Sequence, residues 1–108
     1  MADVRTMSFE LTGFDGELVH PDDAAYDDTR AVFNGMIDRK PALIARCTSA
    51  DDVVAAVNVA REQSVPLSVY GGGHGVTGSA VVDAGICIDL RTMSRVDVHQ
   101  DQRIARIA

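Results

Sequence analysis

The run Leu43-Ile44-Ala45-Arg46-Cys47 is apolar at nearly every position, which predicts a short strand. Ser49 follows as a helix N-cap with Asp52 three residues on, a shorter-armed form of the capping box. Val53, Val57 and Ala60 then mark one face of a helix running to about Ser64, and Pro66–Tyr70 starts a second strand. Strand, helix and strand in that order predict a β-α-β unit with parallel strands and a right-handed crossover. Further on, Ile86-Cys87-Ile88-Asp89-Leu90 alternates, placing Ile86, Ile88 and Leu90 on one face of a strand. Val96–His99 and Arg103–Ala108 complete the strand-like runs, with Gln100–Gln102 as the turn between them. Upstream, residues 1–20 are irregular, broken by Gly13 and Gly16. Pro21-Asp22-Asp23 reads as a helix start, because acidic side chains there complement the helix dipole. Tyr26, Arg30, Phe33 and Ile37 follow at helical spacing until Gly35 and Lys40-Pro41 end the pattern. The expected organisation is an N-terminal arm with one helix, residues 1–37, followed by an incomplete α+β domain over 38–108. The chain also stops inside the apolar run Arg103–Ala108, and this predicts that it is the front part of something longer.

Charge changes the picture in one place. The chain of 108 residues carries a formal charge of −6, which argues against a nucleic-acid or anionic-membrane partner. The acids are concentrated early, eleven Asp/Glu against five Lys/Arg in residues 1–52, and no charged side chain lies between Gln63 and Val82. An anionic ligand could approach that window without repulsion. Cys47 and Cys87 sit in apolar runs, with neither zinc nor C-x-x-C spacing, and read as reduced core thiols of a cytoplasmic protein. No apolar stretch resembles a signal peptide or a membrane span.

The window holds the stretch Val69-Tyr70-Gly71-Gly72-Gly73-His74-Gly75-Val76-Thr77-Gly78. Gly73-His74-Gly75-Val76-Thr77-Gly78 satisfies the dinucleotide pattern G-x-G-x-x-G, but no helix follows it and no well-placed acid stands about 20 residues on. The P-loop pattern fails because Gly78-Ser79-Ala80 stands where Gly-Lys-Ser/Thr is needed, with no lysine. The remaining reading is a strand–loop–strand turn whose backbone N–H groups form a nest around a pyrophosphate, with a ligand-free hairpin loop as its alternative. On residue chemistry alone, His74 reads first as a loop histidine that hydrogen-bonds backbone, with a ligand role as the alternative. His20 and His99 read as surface or strand-end residues. The pairs Asp22/Asp23, Asp27/Asp28 and Asp51/Asp52 read as helix-N-terminal charge and solvated face.

The run from Arg39 to Val98, "RKPALIARCTSADDVVAAVNVAREQSVPLSVYGGGHGVTGSAVVDAGICIDLRTMSRVDV", resembles the front half of the PCMH-type FAD-binding domain of the vanillyl-alcohol oxidase superfamily. It is similar in particular to the berberine-bridge-enzyme-like FAD-linked oxidases, and the resemblance extends upstream to about Phe14. It implies FAD as cofactor, with Gly71, Gly72, Gly73, His74, Gly75, Val76, Thr77 and Gly78 binding it. His74 matches the histidine that many members bond to the flavin 8α carbon, a role within reach of neutral imidazole near pH 7. The complete enzyme implied would oxidise an alcohol, sugar or alkaloid-like small molecule, with its substrate domain and catalytic base beyond Ala108. Catalytic and metal-binding residues are therefore expected to be absent from this chain. Tyr70 stands where relatives usually carry arginine, leaving a phenol O–H as the donor, and Gly75 stands where many carry serine or asparagine. A reading of a different class stays open: a non-catalytic truncated remnant or interaction module, needing a homodimer partner or a completing chain to finish its sheet. So does a small nucleotide-binding domain without redox chemistry.

Overall fold

The structure is a computed structural model that describes residues 11, 13–72 and 78–107. Its elements are β1 (Glu17–Val19), α1 (Tyr26–Arg30), β2 (Leu43–Arg46), α2 (Ala50–Gln63), β3 (Leu67–Tyr70), β4 (Ile86–Asp89), β5 (Val96–His99) and β6 (Ile104–Ile107). Four strands form one sheet in the order β1-β2-β4-β3, and β5 and β6 form a separate antiparallel hairpin. β2 and β3 are both parallel to β4, so the parallel strands expected of the β-α-β unit are present with β4 inserted between them. β1 closes the other edge antiparallel to β2.

Alternation explains the two layers of core. Leu43, Ala45, Ile86 and Ile88 face α2, where Ala56, Val59 and Ala60 complete a buried cluster. Ile44, Cys87 and Tyr70 face the opposite way, toward Tyr26, Val19 and Val81. Every residue of β4 is buried, as expected of a central strand covered on both faces. The C-terminal ends of the parallel strands are aligned, Leu90 N–H on the Tyr70 carbonyl at 2.9 Å and Cys47 N–H on the Asp89 carbonyl at 2.9 Å.

Four expectations are corrected. The helix expected from Pro21 is only Tyr26–Arg30: the Asp23 carboxylate accepts the His20 N–H and builds a turn, and Ala31 is already extended. Phe33 and Met36, which would have continued it, are largely exposed. The irregular arm also contains a strand, β1. Of the expected α2 face, Ala60 is buried and Val53 packs against the same cluster, but Val57 is exposed, and Asp52, Ala56 and Val59 complete the buried side. The small alanines at 56 and 60 let the helix approach the sheet closely. Finally, Asp52 is not solvated; it is fully buried.

Asp52 instead ties the arm to the domain. The Ser49 hydroxyl accepts the Asp52 N–H at 3.3 Å, the expected half of the capping box. Its carboxylate reaches past Ser49, accepting from the Asp15 N–H at 2.8 Å and from the Thr48 N–H and hydroxyl, both at 2.9 Å. Burial alone would raise its pKa; these donors and the Gly16 N–H outweigh burial and hold it below the usual carboxylate value.

Candidate functional site

The glycine-rich segment connects β3 to β4, and because those strands are parallel it is a crossover rather than the turn or hairpin expected. The chain leaves β3 at the carboxyl ends of the strands and returns across the sheet face opposite α2, where Ala80 and Val81 join the Tyr26 cluster. Connections leaving β2 and β3 thus cross on opposite faces, the arrangement that opens a crevice beyond the carboxyl ends of a parallel sheet. Gly71 and Gly72 lie exposed there, and Gly78 is buried. Of the residues singled out from the sequence, Gly73, His74, Gly75, Val76 and Thr77 lie outside the described residues.

The near stem is fixed through Tyr70. Its ring is buried, and its hydroxyl donates to the Ala31 carbonyl, so the phenol O–H expected to face a ligand is already used. The Arg91 guanidinium stacks over that ring, 3.9 Å from its centroid. Arg91 is aimed by Asp89, a fully buried carboxylate that accepts from its Nε at 2.9 Å and its Nη2 at 2.8 Å. Arg91 Nη2 also donates to the Thr29 carbonyl at 2.6 Å, and Arg46 Nε stands 3.1 Å from Asp89 on the other side. Two cations flank one buried anion at the ends of β2 and β4.

The far stem is fixed from the segment after α1. Gly78 has φ +73°, and a Cβ there would lie 2.7 Å from the Ile37 side chain, so only glycine fits. Arg39 Nη1 donates to the carbonyls of Gly78 at 3.0 Å and Val81 at 3.3 Å. Asp83, the one acid of the connection, accepts the Lys40 N–H at 2.6 Å. Two guanidinium groups therefore stand at the two stems of a stretch that carries no charge in sequence. Nothing lies within 4 Å of a Cβ built on Gly71, so the backbone there is open to close approach. Approachable N–H groups, cations at the stems and carboxylates already bonded suit a ligand with several anionic oxygens, a pyrophosphate among them.

Arg39 and Arg91 were not singled out from the sequence. Asp89 ends β4 and Arg91 follows two residues on, a spacing that could have been read as a local ion pair. Arg39 has no local signal, standing 39 residues from Gly78. The two cysteines are free and buried as expected, and burial, ahead of nearby acids, pushes both thiols up to about 11. Neither is a nucleophile at neutral pH. No group of His, Cys, Asp and Glu among the described residues could hold a metal ion. No helix among them is long and apolar enough to cross a membrane.

A family model for an FAD binding domain matches residues 41–108. An (R)-6-hydroxynicotine oxidase from Paenarthrobacter nicotinovorans is 39% identical over 92 residues, 85% of this chain and 20% of that protein. The crystal structure of 6-hydroxy-D-nicotine oxidase from Arthrobacter nicotinovorans matches with a TM-score of 0.85 at 38% identity, covering 87% of this chain and 21% of that one. A glucooligosaccharide oxidase from Acremonium strictum, with a 6-S-cysteinyl, 8α-N1-histidyl FAD, matches with a TM-score of 0.76 at 33% identity, over 86% of this chain and 20% of its own. The chain spans about a fifth of the length of these relatives.

Proposed function

The chain belongs to the FAD binding domain family of FAD-linked oxidoreductases, with the PCMH-type fold, and on that footing we propose that its glycine loop holds the FAD pyrophosphate. Gly71, Gly72, Gly73, Gly75, Val76, Thr77 and Gly78 are the loop residues of this proposal, and His74 is the residue bonded to the flavin. The observation that carries it is the crossover that leaves the carboxyl end of β3, without charge as far as Val82, open at Gly71 and held at its stems by Arg39 and Arg91. The histidyl FAD of the glucooligosaccharide oxidase supports the role given to His74.

When bound, FAD supplies the two-electron acceptor. The chain's own part is to bind and orient. Arg91 stacked on Tyr70 fixes where the loop begins, and Ile37 and Arg39 fix where it ends. The complete protein would oxidise an alcohol, sugar or alkaloid-like substrate in a reducing, cytoplasmic setting. Residues 1–37 would be its N-terminal arm and 38–108 the first part of its FAD domain.

The test is the absorbance of the purified chain before and after acid precipitation, for wild type and His74→Ala. Yellow colour held in the wild-type pellet and lost from the variant's pellet is the expected result. Colour that washes into the supernatant in both would keep the FAD site and remove the tether. A colourless protein would favour the second reading, a non-catalytic module completed by another chain. That reading has its own observation: Val96, Val98 and Ile107 leave one face of the hairpin apolar and exposed.

A further inference from the structure

The residues that hold the far stem of the loop lie before the stretch matched by the family model, which begins at residue 41. Ile37 and Arg39 are the more buried of the alternating positions 37–40, the first under Gly78 and the second on the Gly78 and Val81 carbonyls. Asp38 faces the other way and pairs with Arg30. Lys40 continues the contact, its N–H on Asp83 and its carbonyl accepting the Ala84 N–H at 3.0 Å. A segment of four residues thus runs along 78–84 and determines where the crossover can end.

We propose that Arg39 is a positioning residue for the phosphate loop, both fixing and charging its far stem; this rests on the reading of that loop as the FAD pyrophosphate site. One nitrogen bonded to two carbonyls keeps those acceptors occupied by a cation, so that neither opposes an anion with its negative end. The same guanidinium brings a positive charge to the end of a run, 64–81, that has none of its own. Arg39 acts through Gly78 and Val81 and is not assigned any direct bond to the cofactor.

ADP carries the pyrophosphate without the flavin and is the probe, alongside FAD, in calorimetric titrations at several salt concentrations. Arg39→Ala is expected to weaken ADP about tenfold and to flatten the dependence of affinity on salt, because a cation near the anion is gone. Arg39→Lys is expected to keep the salt dependence while losing affinity, since an ammonium keeps the charge but not the planar fork. Arg61→Ala removes the same charge in the last turn of α2, on the other face of the sheet, and should change neither reading.

If Arg39→Ala binds ADP like wild type, the proposal is overturned and the loop reading stands. Weaker binding with an unchanged salt dependence would make Arg39 a folding residue only, and would overturn it too. If Arg39→Ala fails to fold, Arg39→Lys decides: reduced affinity with retained salt dependence supports the proposal, and wild-type affinity overturns it. A wild-type chain that binds neither ADP nor FAD overturns the loop reading, and the role of Arg39 with it.

Discussion

Gly78 combines a left-handed backbone with a side chain pressed against its α carbon, and the two constraints can be separated. Gly78→Ala should cost about 1–3 kcal/mol, measured by denaturant unfolding. Adding Ile37→Ala should recover only the steric share, leaving the cost of φ. Asp52 gives a pH signature. Its carboxyl is held below the usual value, so its contribution is complete above the unfolded pKa of about 3.9 and is lost as pH falls through the folded value. Asp52→Asn should remove about 1–3 kcal/mol at pH 7 and leave a flatter stability profile below pH 4. An acid titration of the unfolding free energy in both proteins would show it, and parallel curves would contradict it.

At the level of elements, α2 tests which face was read correctly. Ala56 is fully buried against the sheet, so Ala56→Leu should cost about 1–3 kcal/mol by overpacking. Val57→Ala, on the exposed side, should stay within about 0.5 kcal/mol of wild type. The reverse order of effects would restore the face read from periodicity. The β5–β6 hairpin makes a different prediction. Val96, Val98 and Ile107 are exposed on one face, and a two-stranded hairpin has little stability of its own. Its amides should exchange with deuterium well before those of β2 and β4, by mass spectrometry or NMR. Local patterns made most of these elements legible: β5 has its expected bounds, and β2, α2, β3, β4 and β6 differ from theirs by one residue or two. The helix from Pro21 failed because a three-residue Asp turn and an exposed Phe33 override a helical spacing. β1 escaped notice because three residues offer no period to count. The stems of the glycine loop were less legible than the loop. Its glycines are contiguous in sequence, whereas Arg39, Ile37 and Arg91 meet it only through the fold.

For the molecule as a whole, the two buried thiols report on global opening. With both pushed up to about 11, neither should react with Ellman's reagent at pH 8 except through unfolding. Both should be modified in one kinetic phase at the rate of unfolding, and a fast phase for either would place that strand outside the cooperative core. β4 gives this cooperativity its physical basis, and it also carries a consequence for synthesis on the ribosome. β2 and β3 are each hydrogen-bonded to β4 and not to one another. A nascent chain that has emerged only as far as Tyr70 therefore has two strands that belong roughly 10 Å apart, with nothing between them. The sheet is assembled last from the middle: until Ile86–Asp89 has emerged, the edges of β2 and β3 that face β4 stay unpaired, and its arrival closes both at once.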